Sequence, residues 1–183
     1  PMRMFQVLLD ADAAKVLLPS TLTSCLAKEE FREQLIANLH GADNCLEDRC
    51  AVTLMHLPAS EIRSWAECIK MPNEVRDFSE IFSDLRSLIN KHLETPYQAV
   101  EILTWFNRAD VWRKPDRSLE ILNLAENLGM HVSPLIKAMR NAQAINAAEI
   151  IAGVAAEDRS NGERIGSAFE SARLAAISSA LEA

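Results

Sequence analysis

The sequence predicts an all-α protein, a multi-helix body followed by a helical tail, with no sheet. Apolar residues recur at helical spacing along nearly all of its 183 residues. Hydrophobic residues make up 49% but aromatics only 5%, and there are five glycines, a balance that favours packed helices over a β-sandwich. No segment alternates like a strand with turn dipeptides at its ends. The pattern divides into about nine or ten helices.

Taken in order, FQVLLDADAAKVLL places Phe5, Leu8, Leu9 and Val16 on one side, and EEFREQLIANL does the same with Phe31, Leu35, Ile36 and Leu39. CLEDRCAVTLMHL and SEIRSWAECIKM form two more helices broken at Pro58. From Pro72, a broad stripe runs through Val75, Phe78, Ile81, Phe82, Leu85, Leu88 and Ile89. Thr95-Pro96 and Ser133-Pro134 each offer a hydroxyl cap before a proline at the first helical position, and Asn146 with Glu149 fits a capping-box variant. A helix begins at Pro115, and Gly129 is placed to stop it. The final helix carries a narrow small-residue stripe of Ile165, Phe169, Ala172, Ala176, Ile177, Ala180 and Leu181. The expected division falls at LGMHVSP (128–134), with a second loosening in AAEDRSNGERIG (155–166).

Composition narrows the function. A net charge of −7 argues against indiscriminate coating of nucleic acid but permits a local basic face. No stretch approaches the ~18–20 apolar residues of a membrane span, and the first residues lack a signal-peptide core. A first residue of Pro rather than Met hints at a processed, cleaved or truncated chain. Cys25, Cys45, Cys50 and Cys68 have neither C-x-x-C nor finger-like spacing and read as reduced, mostly buried thiols of a cytoplasmic protein.

The chemistry-bearing motifs are few. Asp10-Ala11-Asp12 lies in a helical pattern, where residues two apart point about 200° from one another, so it reads as a solvated face rather than a metal pair. His56 is followed by Leu57 instead of a carboxylate, and His40, His92 and His131 are isolated, so no metal site is assigned. Nucleophile elbows and phosphate loops are lacking, and no catalytic residue is assigned. The cationic run is different. NRADVWRKPDR (107–117) holds Arg108, Arg113, Lys114 and Arg117 against two aspartates, at a helix entrance. Arg113 and Lys114 suit backbone phosphates, or a cap or ion pair within the fold; Trp112 suits stacking on a base or filling the core. Lys137 and Arg140 form a second pair one turn apart.

Four blocks give this run a context. IKMPNEVRDFSEIF (69–82) and ADVWRKPDRSLEILNLAENLG (109–129) resemble the P-N-E-x-R-D and D-x-W-R-K-P-x-R segments of bacterial CCA-adding tRNA nucleotidyltransferases. MFQVLLDADAAKVLLP and NGERIGSAFESARLAAI are similar to the family's opening body segment and terminal helix. The resemblance covers most of the chain and implies a body domain over 1–130, with a degenerate HD-like region at about 45–95, and a tail over 131–183. It implies tRNA as partner, read by shape and phosphates. Its first-choice contacts are Arg108, Arg113, Lys114 and Arg117 with Trp112; Lys137, Arg140, Arg164 and Arg173 follow.

The family's catalytic head, with its D-x-D metal pair and E-D-x-x-R nucleotide selector, is not matched. No cofactor is expected in this chain; Mg and CTP or ATP belong to a head expected upstream of Pro1. The chain alone is expected to be inactive. Some relatives carry an HD phosphohydrolase site in this half. Here TLMHLPASEIRSW keeps His56 without the Asp, and DLRSLINKHL carries Arg86 and Asn90 where histidines would stand, so that activity is not expected. The alternative is a non-catalytic degenerate HD-type interaction module, with the last helix's stripe as a homodimer seam.

Overall fold

The computed structural model describes residues 2–42 and 45–182. Among them lie twelve α-helices, one 3-10 turn and no strand. The helices are α1 (Met2–Asp10), α2 (Ala14–Leu17), α3 (Ser20–Leu26), α4 (Glu29–Gly41), α5 (Leu46–Leu54) and α6 (Ala59–Ile69), then α7 (Asn73–Lys91), α8 (Ala99–Ala109), α9 (Pro115–Asn127), α10 (Ser133–Gln143), α11 (Ala147–Gly153) and α12 (Gly162–Glu182). The all-α reading holds, and the helices outnumber the nine or ten expected.

The chain forms two compact units. One comprises residues 1–88 and 123–130, the other 89–122 and 131–183. In the first, Leu22, Leu26, Leu35, Leu54, Ile62 and Phe82 are fully buried. The α7 stripe behaves as its spacing requires, with Val75, Phe78, Ile81, Phe82, Leu85 and Ile89 buried. Glu80 is also fully buried on this helix, and the charge is matched. Arg63 of α6 donates Nε and Nη2 to its two carboxylate oxygens at 3.1 and 2.5 Å, and Arg76 Nε lies 3.5 Å away. An unpaired carboxylate there would cost several kcal/mol, on the order of 3–5.

In the second unit α12 packs along α10 and against α8 and α11. Its stripe turns inward, with Ile177 and Ala180 buried. Small residues let the helix axes approach, and the stripe offered as a dimer seam is partly covered by the unit's own helices.

Three helices end alike. Lys70, Asp110 and Gly129 adopt left-handed φ values of 56°, 58° and 78° after α6, α8 and α9. In each case the next amide closes back five residues, as Met71→Ala66, Val111→Phe106 and Met130→Ala125. Gly129 thus stops α9 as its sequence position predicts.

Several local expectations are corrected. FQVLLDADAAKVLL is not one helix: α1 stops at Asp10, Asp12 takes φ 57°, and Val16 is 84% exposed. Asp10 accepts from Gln6 and Asp12 pairs with Lys15, so the two carboxylates hold separate local partners. On α4, Ile36 is exposed while Leu35 and Leu39 are buried. Thr95-Pro96 does not start a helix, because α8 begins at Ala99 and the Thr95 hydroxyl donates back to Lys91 O at the end of α7. Ser133 is the first residue of α10 rather than its cap, a place taken by Val132. Asn146 does cap α11, accepting from Ala148 N, while its amide donates to Glu149. The cysteines are free but none is fully buried; Cys45 and Cys68 are exposed.

Candidate nucleic-acid interface

All nine residues singled out from the sequence lie in the second unit. That unit carries ten Lys and Arg against eleven Asp and Glu, whereas the first carries nine against fifteen. The acid excess of the chain therefore resides almost entirely in the first unit. The second has little net field to repel an anion.

The corner between α8 and α9 is built by backbone geometry. Asp110, left-handed, turns the chain, and its carbonyl accepts from the amides of Arg113 and Lys114 at 3.1 and 2.8 Å. Arg113 Nε reaches back to the Asp110 carboxylate at 3.3 Å. Arg117, in the first turn of α9, donates Nη2 to Ala109 O at 2.8 Å and so caps the end of α8. Its Nε is buried without a hydrogen-bond partner among the described residues. Ser118, fully buried, donates toward the same Ala109 carbonyl at 3.4 Å. Asp116 in the first turn of α9 already complements the helix dipole.

Trp112 is half-buried. Its indole N–H donates to Asn107 Oδ1 at 2.7 Å, and its ring meets Phe106 edge-on at 6.0 Å. The guanidinium of Arg173, from α12, lies 3.8 Å from the Trp112 ring centroid and 5.6 Å from that of Phe169. Burial draws the Arg173 pKa below its ordinary value. Trp112 and Arg173 are thus joined directly, and at least one face of the indole is covered by a cation.

The remaining candidates point outward. Lys114, Lys137, Arg140 and Arg164 are exposed, and among the described residues their side chains have no ion-pair or hydrogen-bond partner. Arg108 is exposed on the last turn of α8. The geometry therefore separates cations engaged by the fold (Arg113, Arg117 and Arg173) from outward ones. Sequence reasoning passed over Asn107, which orients Trp112. It used Phe169 only as part of the stripe, although Phe169 and Arg173, four apart on α12, necessarily share a face.

Comparison with curated proteins finds sequence resemblances to CCA enzymes. The chain is 26% identical to a "Multifunctional CCA protein" of Herminiimonas arsenicoxydans, aligned over 99% of the chain and 53% of that protein. It is 28% identical to a "CCA-adding enzyme" of Marinobacter nauticus over 97% of the chain and 47% of that protein. A "Multifunctional CCA protein" of Tolumonas auensis is 27% identical over 67% of the chain and 37% of its own length. The chain is thus similar to CCA-adding enzymes along most of its length. It spans about half or less of the length of these relatives. No family model and no solved structure matches it.

In the stretch expected from sequence to be HD-like, His56 is half-buried, edge-on to Phe31 with ring centroids 4.9 Å apart. Burial, and then the Arg86 guanidinium, lower its pKa to about 4, so it is neutral at physiological pH. Arg86 is itself partly desolvated and lies 3.5 Å from Met55 O. The Arg86 charge that disfavours a proton on this imidazole also disfavours a divalent cation there. Among the described residues no group of three or more His, Cys, Asp or Glu is placed to hold a metal ion, and no helix is long and apolar enough to cross a membrane.

Proposed function

We propose that this chain is the tRNA-supporting helical body and tail of a CCA-adding enzyme, and that the second unit forms the face that holds tRNA. One observation carries the reading. The cations singled out from the sequence all belong to the unit whose acids exceed its bases by only one, and four of them, Lys114, Lys137, Arg140 and Arg164, stand exposed and unpartnered among the described residues. Such groups suit phosphate oxygens, which fix position without reading bases. That is the recognition needed by an enzyme that must accept every tRNA.

In this reading bond making belongs to a nucleotidyltransferase head, which supplies Mg and takes CTP and ATP. The body and tail contribute binding and orientation, holding the upper half of tRNA so that its 3′ end reaches the head. The working place of such an enzyme is the cytoplasm. The test is binding of a tRNA lacking its CCA end across a salt series. Contacts by about four cations predict an affinity loss on the order of 50–150-fold between 50 and 200 mM salt. Absence of binding at low salt contradicts the reading and moves it to a protein-interaction module.

A further inference from the structure

Beside the Trp112–Arg173 stack lies a groove of about 340 Å³, lined by Trp112, Pro115, Gln143, Ile145, Phe169 and Arg173, with Val111, Ala142 and Ala147 completing it. In a chain with 26 acidic residues, none contributes to this lining. A second groove of the same unit, about 240 Å³, is lined by Glu170 and two serines and shows no such bias. Arg173 is oriented by the indole, and among the described residues its guanidinium has no carboxylate or carbonyl partner. Its N–H donors are therefore left for the groove, and with Gln143 they form the polar part of a wall otherwise made of apolar and aromatic side chains. A guanidinium without an acid beside flat apolar surface suits a ligand that is anionic at one end and planar at the other. Lys114 adjoins Pro115 in the chain, exposed and positive.

We infer that this groove takes one unstacked nucleotide of a bound RNA, its phosphate on the Arg173 guanidinium and its base against the apolar wall of Phe169 and Ile145. The inference rests on the tRNA-support reading and adds a subsite to it. Phosphate contacts alone hold RNA at any register, whereas one seated nucleotide fixes the register of the strand.

The experiment follows the Trp112 indole N–H resonance of the protein, assigned with Trp112→Phe, during titration with the four ribonucleoside 5′-monophosphates, the nucleosides and inorganic phosphate. The expected result is a saturable shift with monophosphates on the order of 1 mM, at least tenfold weaker with nucleosides or phosphate. Ala147→Tyr, an exposed first residue of α11 on the groove, is expected to abolish the shift and weaken tRNA binding with an unchanged melting temperature. Arg173→Gln is expected to lose the preference for monophosphate over nucleoside. No saturable shift, with tRNA bound equally by wild type and Ala147→Tyr, overturns the groove site and leaves the support reading intact. Failure of the wild type to bind tRNA at low salt overturns the support reading and, with it, RNA as the source of the nucleotide.

Discussion

The guanidinium of Arg173 stacks on the indole of Trp112 at 3.8 Å, tying the last helix to the corner between α8 and α9. A stack of this kind contributes about 0.5–2 kcal/mol. A double-mutant cycle of Arg173→Ala and Trp112→Leu, read by urea denaturation, is expected to give a coupling energy in that range. Additivity within error would show that the two side chains merely lie near each other.

Arg117 and Lys114 separate structural from ligand-directed cations. Arg117 caps Ala109 O, so Arg117→Ala should destabilise the protein by about 1–2 kcal/mol. Lys114 is exposed and unpartnered among the described residues, so Lys114→Ala should stay within about 0.5 kcal/mol of wild type. Denaturation midpoints of the two variants decide it; equal losses would contradict the division.

Glu80 offers a test in the first unit. Its carboxylate is fully buried between Arg63 and Arg76, and Glu80→Ala leaves a void, takes the paired carboxylate from Arg63 and leaves Arg76 with Asp77 alone. The expected loss is about 3 kcal/mol or more, measured by urea unfolding. A loss under 1 kcal/mol would mean that the clamp relaxes freely into water.

His56 makes stability depend on pH with a defined sign. Its folded pKa of about 4 lies below the ordinary 6.5, so between these values the unfolded chain binds a proton that the folded chain refuses. The contribution is fully present above pH 6.5 and is lost as pH falls toward 4. Stability curves at pH 7.5 and 5 should diverge more in wild type than in His56→Gln. Identical slopes would place the imidazole in water.

Much of this architecture is legible in the residues. The apolar period of α7 locates its buried face, and Gly129 marks the end of α9, because both signals are local. Thr95-Pro96 misleads for an equally local reason: a threonine hydroxyl can satisfy the helix behind it as well as the one ahead, and here it bonds Lys91 O. The break after Asp10 is invisible to periodicity, since apolar residues continue on both sides while Asp12 takes a left-handed turn without glycine. Arg173 is a second-choice contact in sequence because a single arginine on a helix carries no sign of its partner. Trp112 comes from a distant segment, and only the fold joins them. The cationic run is plain in NRADVWRKPDR, but its division into capping and outward charges depends on carbonyls that the sequence does not order.

The central claim is that outward cations of the second unit hold tRNA. The most direct measurement compares wild type with a Lys114→Ala/Lys137→Ala/Arg140→Ala variant, binding tRNA without its CCA end at several salt concentrations, after melting curves have shown equal stability. The account predicts weaker binding and a salt slope lower by about two to three, roughly one unit for each phosphate contact removed. Equal affinity and equal slope in the two proteins would contradict it.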